Sequence, residues 1–149
     1  MSNRVMVDSS ILIEFSKNTK TKLLIKLISN TAIDCFINET VLSEYFYHFV
    51  AINGGRSPLA TKEAGEVDQV FSNSSSYRFI ERFYYFQTDA TLFTLVPQLM
   101  RKYNLLSNDA IILATCKIHG ITRLASHDSD FEQACKGEGI TLLTEDSVL

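Results

Sequence analysis

Arg4-Val5-Met6-Val7-Asp8-Ser9-Ser10 is the segment that carries most information about the fold class of this chain. Its first four residues are mostly apolar and partly β-branched, which predicts a short buried strand. The strand ends at Asp8, and a helical turn is expected from Ile11 to Phe15. A strand that leads directly into a helix is the first unit of a strand–helix alternation.

The alternation continues along the chain. Further strands are predicted at Asp34–Ile37, Arg123–Ser126 and Ile140–Thr144. Helices are predicted at Lys22–Ser29, after a cap at Asn38, from a cap at Thr88 to about Tyr103, and from a cap at Ser107 to Ile118, with Gly120 ending the last one. Alternating strands and helices imply a parallel sheet covered on both faces. The predicted fold class is therefore α/β: a three-layer α/β/α arrangement with a central, mostly parallel sheet.

The middle of the chain is harder to interpret. Ser57-Pro58 is compatible with a helix start because proline suits the first helical turn, and Tyr77–Gln87 is expected to end in a strand. The aromatic residues of 79–86, with Arg78 and Arg82, are interpreted as a core or dimer face, an RNA clamp being the alternative. Pro97 predicts a kink or break in its helix.

Length and composition favour one soluble domain. The chain has 149 residues, 46% of them hydrophobic, which is enough for a single domain, 1–149, with a substantial core. The longest unbroken apolar run, Ala110–Ala114, is far shorter than the roughly 20 residues of a membrane span. The segment before Asp8 is too short and ends too acidic for a signal peptide.

The cysteines and the charge bear on compartment and partner. Cys35, Cys116 and Cys135 form no C-x-x-C pair and have apolar neighbours, so we expect buried, reduced thiols in a cytoplasmic protein. A net charge of -3 and a pI near 5.6 show no basic footprint for nucleic acid. Five acids belong to one candidate site, described next, and without them the remaining residues carry a net positive charge. The negative net charge of the whole chain is therefore a weak argument against an RNA substrate.

Three of those acids follow predicted strands. Asp8 ends the first strand, and Asp128 and Asp130 follow the strand at Arg123–Ser126. Ligands of open parallel sheets bind at the carboxyl ends of the strands, so these acids are expected at the functional edge. The alternative is that Asp8 caps a turn and that the other two belong to an Asx turn.

Two more acids lie on helices beside apolar stripes. Glu44 borders the stripe that contains Val41 and Tyr45, and Asp109 heads the stripe that continues to Ile112. A carboxylate on a core-facing stripe needs a partner, although Glu44 could extend to water and Asp109 could be a helix-start acid. A divalent metal is the economical partner of all five acids. Oxygen-only ligands favour Mg²⁺ or Mn²⁺, and such ions support phosphodiester hydrolysis.

Four motifs resemble those of one known family. Their segments are Val5–Ile13, Val41–Glu44, Leu106–Ala114 and Leu124–Phe131. In sequence and in order they are similar to the motifs of PIN-domain ribonucleases, especially VapC-type toxins of toxin–antitoxin pairs. Residues 54–87 have no recognisable counterpart motif in that family.

The resemblance implies a Mg²⁺-dependent endoribonuclease, usually a homodimer, that a small antitoxin protein holds inactive. It implies that Asp8, Glu44, Asp109 and Asp128 form the catalytic, metal-binding pocket, with Asp130 as an additional or alternative member. Ser126 stands where the family often has a serine or threonine that orients the site. His127 departs from the residue types usual there.

Two other functions are weighed against this one. A haloacid-dehalogenase-like phosphomonoesterase would use Asp8 as a covalent nucleophile, but that chemistry needs an acid two residues later, where this chain has Ser10. A catalytically silent PIN-like binding module would keep the fold without activity, and the presence of all five acids speaks against it.

Overall fold

A computed structural model describes residues 3–149. Met1 and Ser2, the start of the segment in which we predict no signal peptide, lie outside the described residues. The five strands are β1 (Arg4–Val7), β2 (Asp34–Asn38), β3 (Tyr84–Phe86), β4 (Arg123–Ala125) and β5 (Thr141–Leu143). They form one sheet in the order β3-β2-β1-β4-β5, with every neighbouring pair parallel. Helices flank this sheet, so the predicted three-layer α/β/α class is confirmed.

The central position of β1 follows from its apolar sequence. Val5, Met6 and Val7 are fully buried, because β1 pairs with β2 on one side and with β4 on the other. A strand that is covered on both faces reads as a continuous apolar run rather than an alternating one. This burial brings the residue after the strand, Asp8, to the middle of the carboxyl edge of the sheet.

Eight α-helices connect the strands or cover the sheet in the described part of the chain. They are α1 (Ser9–Ser16), α2 (Lys22–Ser29), α3 (Glu39–Gly54), α4 (Pro58–Glu63), α5 (Val67–Asn73), α6 (Leu92–Tyr103), α7 (Ser107–Ile118) and α8 (Phe131–Glu138). A short 3₁₀ helix spans Ser76–Arg82. Within residues 3–149, no helix combines the length and the apolar character that a membrane crossing requires.

The core lies on both sides of β1. Helix α7 contributes a fully buried face that includes Ala110, Ile112 and Leu113, and α3 contributes Tyr45 and Phe49. Complete burial of one such aliphatic side chain stabilises the fold by about 1.5–3 kcal/mol relative to its exposure. The core therefore fixes the position of the first turn of α7, where Asp109 lies.

Three local predictions differ from the structure. Helix α6 begins at Leu92 rather than after Thr88, because the Asp89 carboxylate accepts the Thr91 N–H at 2.8 Å and holds the preceding turn. Ser107 is the first residue of α7 and not its cap, which is Leu106 in extended conformation. Helix α6 is also unbroken at Pro97, an exposed position where water can satisfy the carbonyl that proline leaves without a donor.

The segment without a recognisable motif is folded. Ser57 caps α4 by accepting the Ala60 N–H at 3.2 Å, and β3 forms at the end of the aromatic segment, both as predicted. The Phe79 ring lies 5.0 Å from the Phe15 ring and 5.7 Å from the Tyr45 ring, between their centroids. The aromatic residues thus contribute mainly to the core, although Tyr84 and Tyr85 remain exposed.

The three cysteines are free and buried, as the sequence predicts. Burial raises the pKa of Cys35 and that of Cys135 to about 11, and raises the pKa of Cys116 further still. Thiols with such raised pKa values stay protonated and are unreactive at neutral pH.

Candidate metal centre

Asp8 is held rigidly at the end of β1. Its backbone N–H donates to the Ala125 carbonyl at 2.9 Å, which extends the pairing between β1 and β4 by one residue. Its side chain is almost entirely buried, and its Oδ2 accepts hydrogen bonds from Ser10 Oγ at 2.6 Å and Ser126 Oγ at 2.7 Å. One carboxylate oxygen of Asp8 is therefore fixed by two hydroxyl groups.

The turn after β4 is built from the same hydroxyl groups. Ser126 Oγ accepts the Asp128 N–H and Ser10 Oγ accepts the His127 N–H, both at 3.0 Å. Asp128 Oδ1 in turn accepts the Asp130 N–H at 2.9 Å, which is an Asx turn of the kind weighed from the sequence. The Asx turn is compatible with a role in the site, because carboxylate oxygens of Asp128 and Asp130 both lie within 4.8 Å of one of Asp109.

Asp109, Asp128 and Asp130 form the tightest acidic group among the described residues. One carboxylate oxygen from each lies within 4.8 Å of the others. Asp109 belongs to the first turn of α7, and the other two acids belong to the turn after β4. The group therefore joins a helix start to a strand end.

The surroundings of Asp109 favour the protonated form of its carboxyl group. Partial burial, the largest cause, and neighbouring negative charges together raise the pKa of Asp109 to about 7. In decreasing order of effect, these charges are those of Asp8, Asp128, Glu44 and Asp130. All four other predicted site residues thus lie within electrostatic reach of Asp109.

Glu44 lies beside the three-acid group without joining it. Its Oε1 accepts a hydrogen bond from Ser9 Oγ at 3.3 Å. Partial burial and the negative charge of Asp8 raise the pKa of Glu44, while hydrogen bonds with Asn108 and Ser9 act in the opposite direction. Glu44 is therefore a partly desolvated acid whose proton affinity depends on its neighbours.

The five predicted acids are close together but not equivalent. The structure places Asp130 beside Asp128 in the three-acid group, and whether Asp130 is an additional or an alternative ligand stays a prediction. Asp8 and Glu44 fall outside the distance that defines the group. The role of all five acids as metal ligands stays a prediction. Ser10 and Asn108 contact these acids without having been predicted to do so. Their signal is adjacency, since each lies within two residues of a predicted acid.

A hard divalent cation fits this set of donors. The group offers only carboxylate oxygens, which are the donors that Mg²⁺ and Mn²⁺ prefer. The mutual repulsion that raises the pKa of Asp109 is the energy that a bound cation would relieve. The fit therefore rests on both the chemistry and the electrostatics of the site.

Fold and site together define a parallel α/β protein with an acidic centre at the carboxyl edge of its sheet. The PIN domain family model matches residues 5–137. The chain therefore belongs to the PIN-domain family, and the resemblance of its four motifs is confirmed. This membership also confirms the predicted enzyme class, a hydrolase of the nuclease type.

Two curated relatives from Methanocaldococcus jannaschii are similar over most of their length. The protein named Ribonuclease VapC6 is 34% identical over 145 residues, which cover 88% of this chain and 92% of the relative. The protein named Ribonuclease VapC2 is 27% identical over 132 residues, which cover 88% and 89%. Together with the PIN family match, the similarity to these two relatives supports the PIN interpretation over the haloacid-dehalogenase alternative.

Solved structures show the same fold. A toxin–antitoxin complex from Klebsiella pneumoniae contains a chain with a TM-score of 0.62 and 17% identity, covering 97% of this chain and 99% of that one. VapBC2 from Rickettsia felis, bound to a DNA fragment from the promoter of its components, gives a TM-score of 0.61 and 16% identity, covering 94% and 97%. At these identities the similarity concerns the fold alone.

Proposed function

We propose that this protein is a divalent-metal-dependent endoribonuclease that acts as the toxin of a toxin–antitoxin pair. The observation that carries the proposal is the convergence of Asp109, Asp128 and Asp130, with carboxylate oxygens within 4.8 Å, at the functional edge of a PIN-domain sheet. The names of the two ribonuclease relatives support RNA as the substrate.

The acidic residues have distinct tasks in this proposal. Asp109, Asp128 and Asp130 would hold Mg²⁺ or Mn²⁺, with Asp8 and Glu44 completing the pocket. When bound, such an ion supplies Lewis-acid stabilisation of the negative charge that develops on the scissile phosphate. The carboxylates alone would repel that phosphate.

The chain's own groups orient and prepare the reaction. Ser10 and Ser126 fix Asp8 Oδ2, so that the carboxylate needs no reorganisation when substrate arrives. Glu44, whose pKa is raised by partial burial, would accept a proton at a carboxylate oxygen from the attacking water. No protein nucleophile is needed.

The partners follow from the same family. We propose a small antitoxin protein as the inhibitor, a homodimer as the active form, and the cytoplasm as the compartment. The complexes among the structural neighbours support the antitoxin, and the three unpaired thiols are compatible with a reducing compartment. A small protein with a DNA-binding N-terminus encoded immediately upstream would be independent support for the antitoxin.

The experiment is cleavage of total RNA by the full-length protein with Mg²⁺, with Mn²⁺ and with EDTA. We expect internal cleavage with either ion and none with EDTA. Activity that survives EDTA would contradict the proposal, and inactivity on every RNA with both ions would favour the silent binding module. A phospho-aspartate trapped at Asp8 would instead favour the phosphomonoesterase.

A further inference from the structure

His127 lies in the turn after β4, between two residues that take part in the acidic centre. Ser126 precedes it and binds Asp8, and Asp128 follows it in the three-acid group. The backbone N–H of His127 donates to Ser10 Oγ, but this bond does not involve the imidazole ring. The ring is buried, with 8% of the side chain exposed. A polar ring that is buried to this extent requires a partner.

That partner is Glu145, in the turn that follows β5. Its Oε1 lies 3.8 Å from His127 Nε2, and both atoms are buried without a hydrogen-bond partner among residues 3–149. A shift of less than ~1 Å brings the two atoms to hydrogen-bond distance, with the ring nitrogen donating and the carboxylate oxygen accepting. Because an unpaired buried polar atom is costly, each of these atoms is the natural partner of the other.

A second carboxylate near the ring is already engaged. Glu14 on α1 lies within electrostatic reach of His127. However, its side chain accepts a hydrogen bond from Thr19 and pairs with Lys17. Glu145 Oε1 has no competing donor in the part of the chain that the structure describes. The ring therefore connects the turn after β4 to the turn after β5.

The turn that carries Glu145 is itself held in place. The Ser126 N–H donates to the Leu143 carbonyl at 3.2 Å, which extends the pairing between β4 and β5 by one residue. The next residues form a closed turn, in which the Thr144 N–H donates to Ser147 Oγ at 2.8 Å and the Ser147 N–H donates to the Thr144 carbonyl at 3.0 Å. Glu145 lies inside this turn, so its backbone is a firm support for the contact with His127.

The acidic centre needs such a support. The carboxylates of Asp109, Asp128 and Asp130 have oxygens within 4.8 Å of one another, and like charges at this distance repel. Two of the three belong to the turn after β4, so the repulsion tends to move that turn away from α7. A side-chain contact between that turn and the segment after β5 opposes the movement.

We propose that Glu145 is a positioning residue of the acidic centre, which holds the ring of His127 and so keeps Asp128 and Asp130 beside Asp109. For its catalytic consequence, the inference rests on the proposed function. It assigns a part of the site to the segment after β5, which carries none of the four motifs. His127 departs from the residue types usual at its position in the family, so the contact is a feature of this chain.

The test varies Glu145 and keeps its neighbours. Glu145→Ala removes the carboxylate, whereas Glu145→Gln keeps an oxygen that can accept from the ring. Asp146→Ala is the matched control, because it removes an adjacent, exposed acid of the same turn. His127→Ala and the double variant His127→Ala/Glu145→Ala complete a double-mutant cycle.

Each variant and the wild-type protein are measured well below their melting temperatures. The first measurement uses neither metal nor RNA: it is the exchange rate of the Asp128 and Asp130 backbone amide hydrogens, followed by NMR. The others are Mn²⁺ affinity, and kcat and KM for cleavage of a short unstructured RNA with Mn²⁺.

We expect the two amide hydrogens to exchange about tenfold faster in Glu145→Ala, because the turn opens locally while the core stays folded. Mn²⁺ affinity and kcat should each fall roughly tenfold, the lower end of the usual effect of losing a group that orients metal ligands, and KM should change little. Glu145→Gln and Asp146→Ala should stay within about threefold of wild type, because both keep an acceptor for the ring. The double variant should lose no more than His127→Ala alone.

Unchanged amide exchange in Glu145→Ala would overturn the positioning role. Additive losses in the double variant, or a Glu145→Gln variant as impaired as Glu145→Ala, would overturn it as well. A wild-type protein that cleaves no RNA, in which the difference in amide exchange is nevertheless found, would contradict the proposed function and support the positioning of the turn. The two failures are therefore distinguishable.

Discussion

The hydroxyl of Ser126 donates a hydrogen bond of 2.7 Å to Asp8 Oδ2 and accepts the Asp128 N–H at 3.0 Å. One buried side chain after β4 therefore connects an acid at the end of β1 to an acid of the three-acid group. Ser10 donates its own proton to the same Asp8 oxygen, so its 3.2 Å contact with Ser126 carries no further proton. The geometry of Asp8 and that of Asp128 consequently depend on each other.

Ser126→Ala should remove the hydroxyl group that connects Asp8 to the backbone of Asp128. We expect a loss of about 10–100-fold in cleavage rate, the usual cost of removing a group that orients a metal site, and of about 1–2 kcal/mol in the free energy of unfolding. Urea unfolding and RNA cleavage with Mn²⁺ measure the two effects. Ser72→Ala, at an exposed position, is the control, and equal activity of the two variants would contradict this role of Ser126.

Asp8→Asn should abolish cleavage and weaken Mg²⁺ binding while the fold persists. The amide has nearly the same shape and keeps an oxygen that can accept from Ser10 or Ser126. Because the charge of Asp8 raises the pKa of Glu44 and that of Asp109, its removal should lower both pKa values. Carboxylate titration by NMR, with circular dichroism as the test of folding, measures this. Cleavage by the variant without metal would disprove the role.

The sequence was most informative where local pattern and burial agree. The apolar run of β1 and the apolar stripe of α7 predict their elements, because a segment covered by the core must be apolar on its covered faces. The five acids were identifiable because charged residues are unexpected at such positions. Three of them, Asp109, Asp128 and Asp130, have carboxylate oxygens within 4.8 Å of one another, and the charges of Asp8 and Glu44 reach Asp109.

Contacts between segments that are distant along the chain could not be predicted from the sequence. The Ser126–Asp8 hydrogen bond depends on β1 pairing with β4, and no local pattern specifies which strands become neighbours. Helix ends were also unpredictable where a turn residue competes with a cap, as Asp89 does at the start of α6. The predicted cap at Thr88 was therefore wrong, although the helix itself was correct.

Glu138 should stabilise the fold because its side chain connects the end of α8 to α6 and α7. Its carboxylate accepts hydrogen bonds from Lys117 on α7 and from Lys102 and Tyr103 on α6, and mainly the Lys117 bond lowers the pKa of Glu138 to about 2. Glu138→Gln should therefore cost about 2 kcal/mol at neutral pH. The stabilisation is present above the ordinary pKa of 4.5 and is lost as pH falls toward 2.

Urea unfolding of Glu138→Gln and wild type across that pH range measures the effect. Glu66→Gln, which removes the exposed ion pair with Arg56, is the matched control and should cost less than about 1 kcal/mol. A difference between wild type and Glu138→Gln that stays constant down to the acid limit would show that packing, rather than charge, is responsible.

Without divalent ions, Asp109 should make the protein less stable as pH rises. The folded pKa of about 7 lies above the ordinary value of 3.8, so the folded state binds the proton more tightly than the unfolded state does. Stability therefore decreases as pH rises from 3.8 to about 7, and the full destabilisation is present above about pH 7.

Asp109→Asn should remove this contribution, so in EDTA its melting temperature should exceed that of wild type at about pH 8 and approach it at about pH 4. Mn²⁺ should stabilise wild type strongly at the higher pH and the variant little, because the cation relieves repulsion that the variant no longer has. A variant as pH-sensitive as wild type would show that Asp109 is not the group responsible.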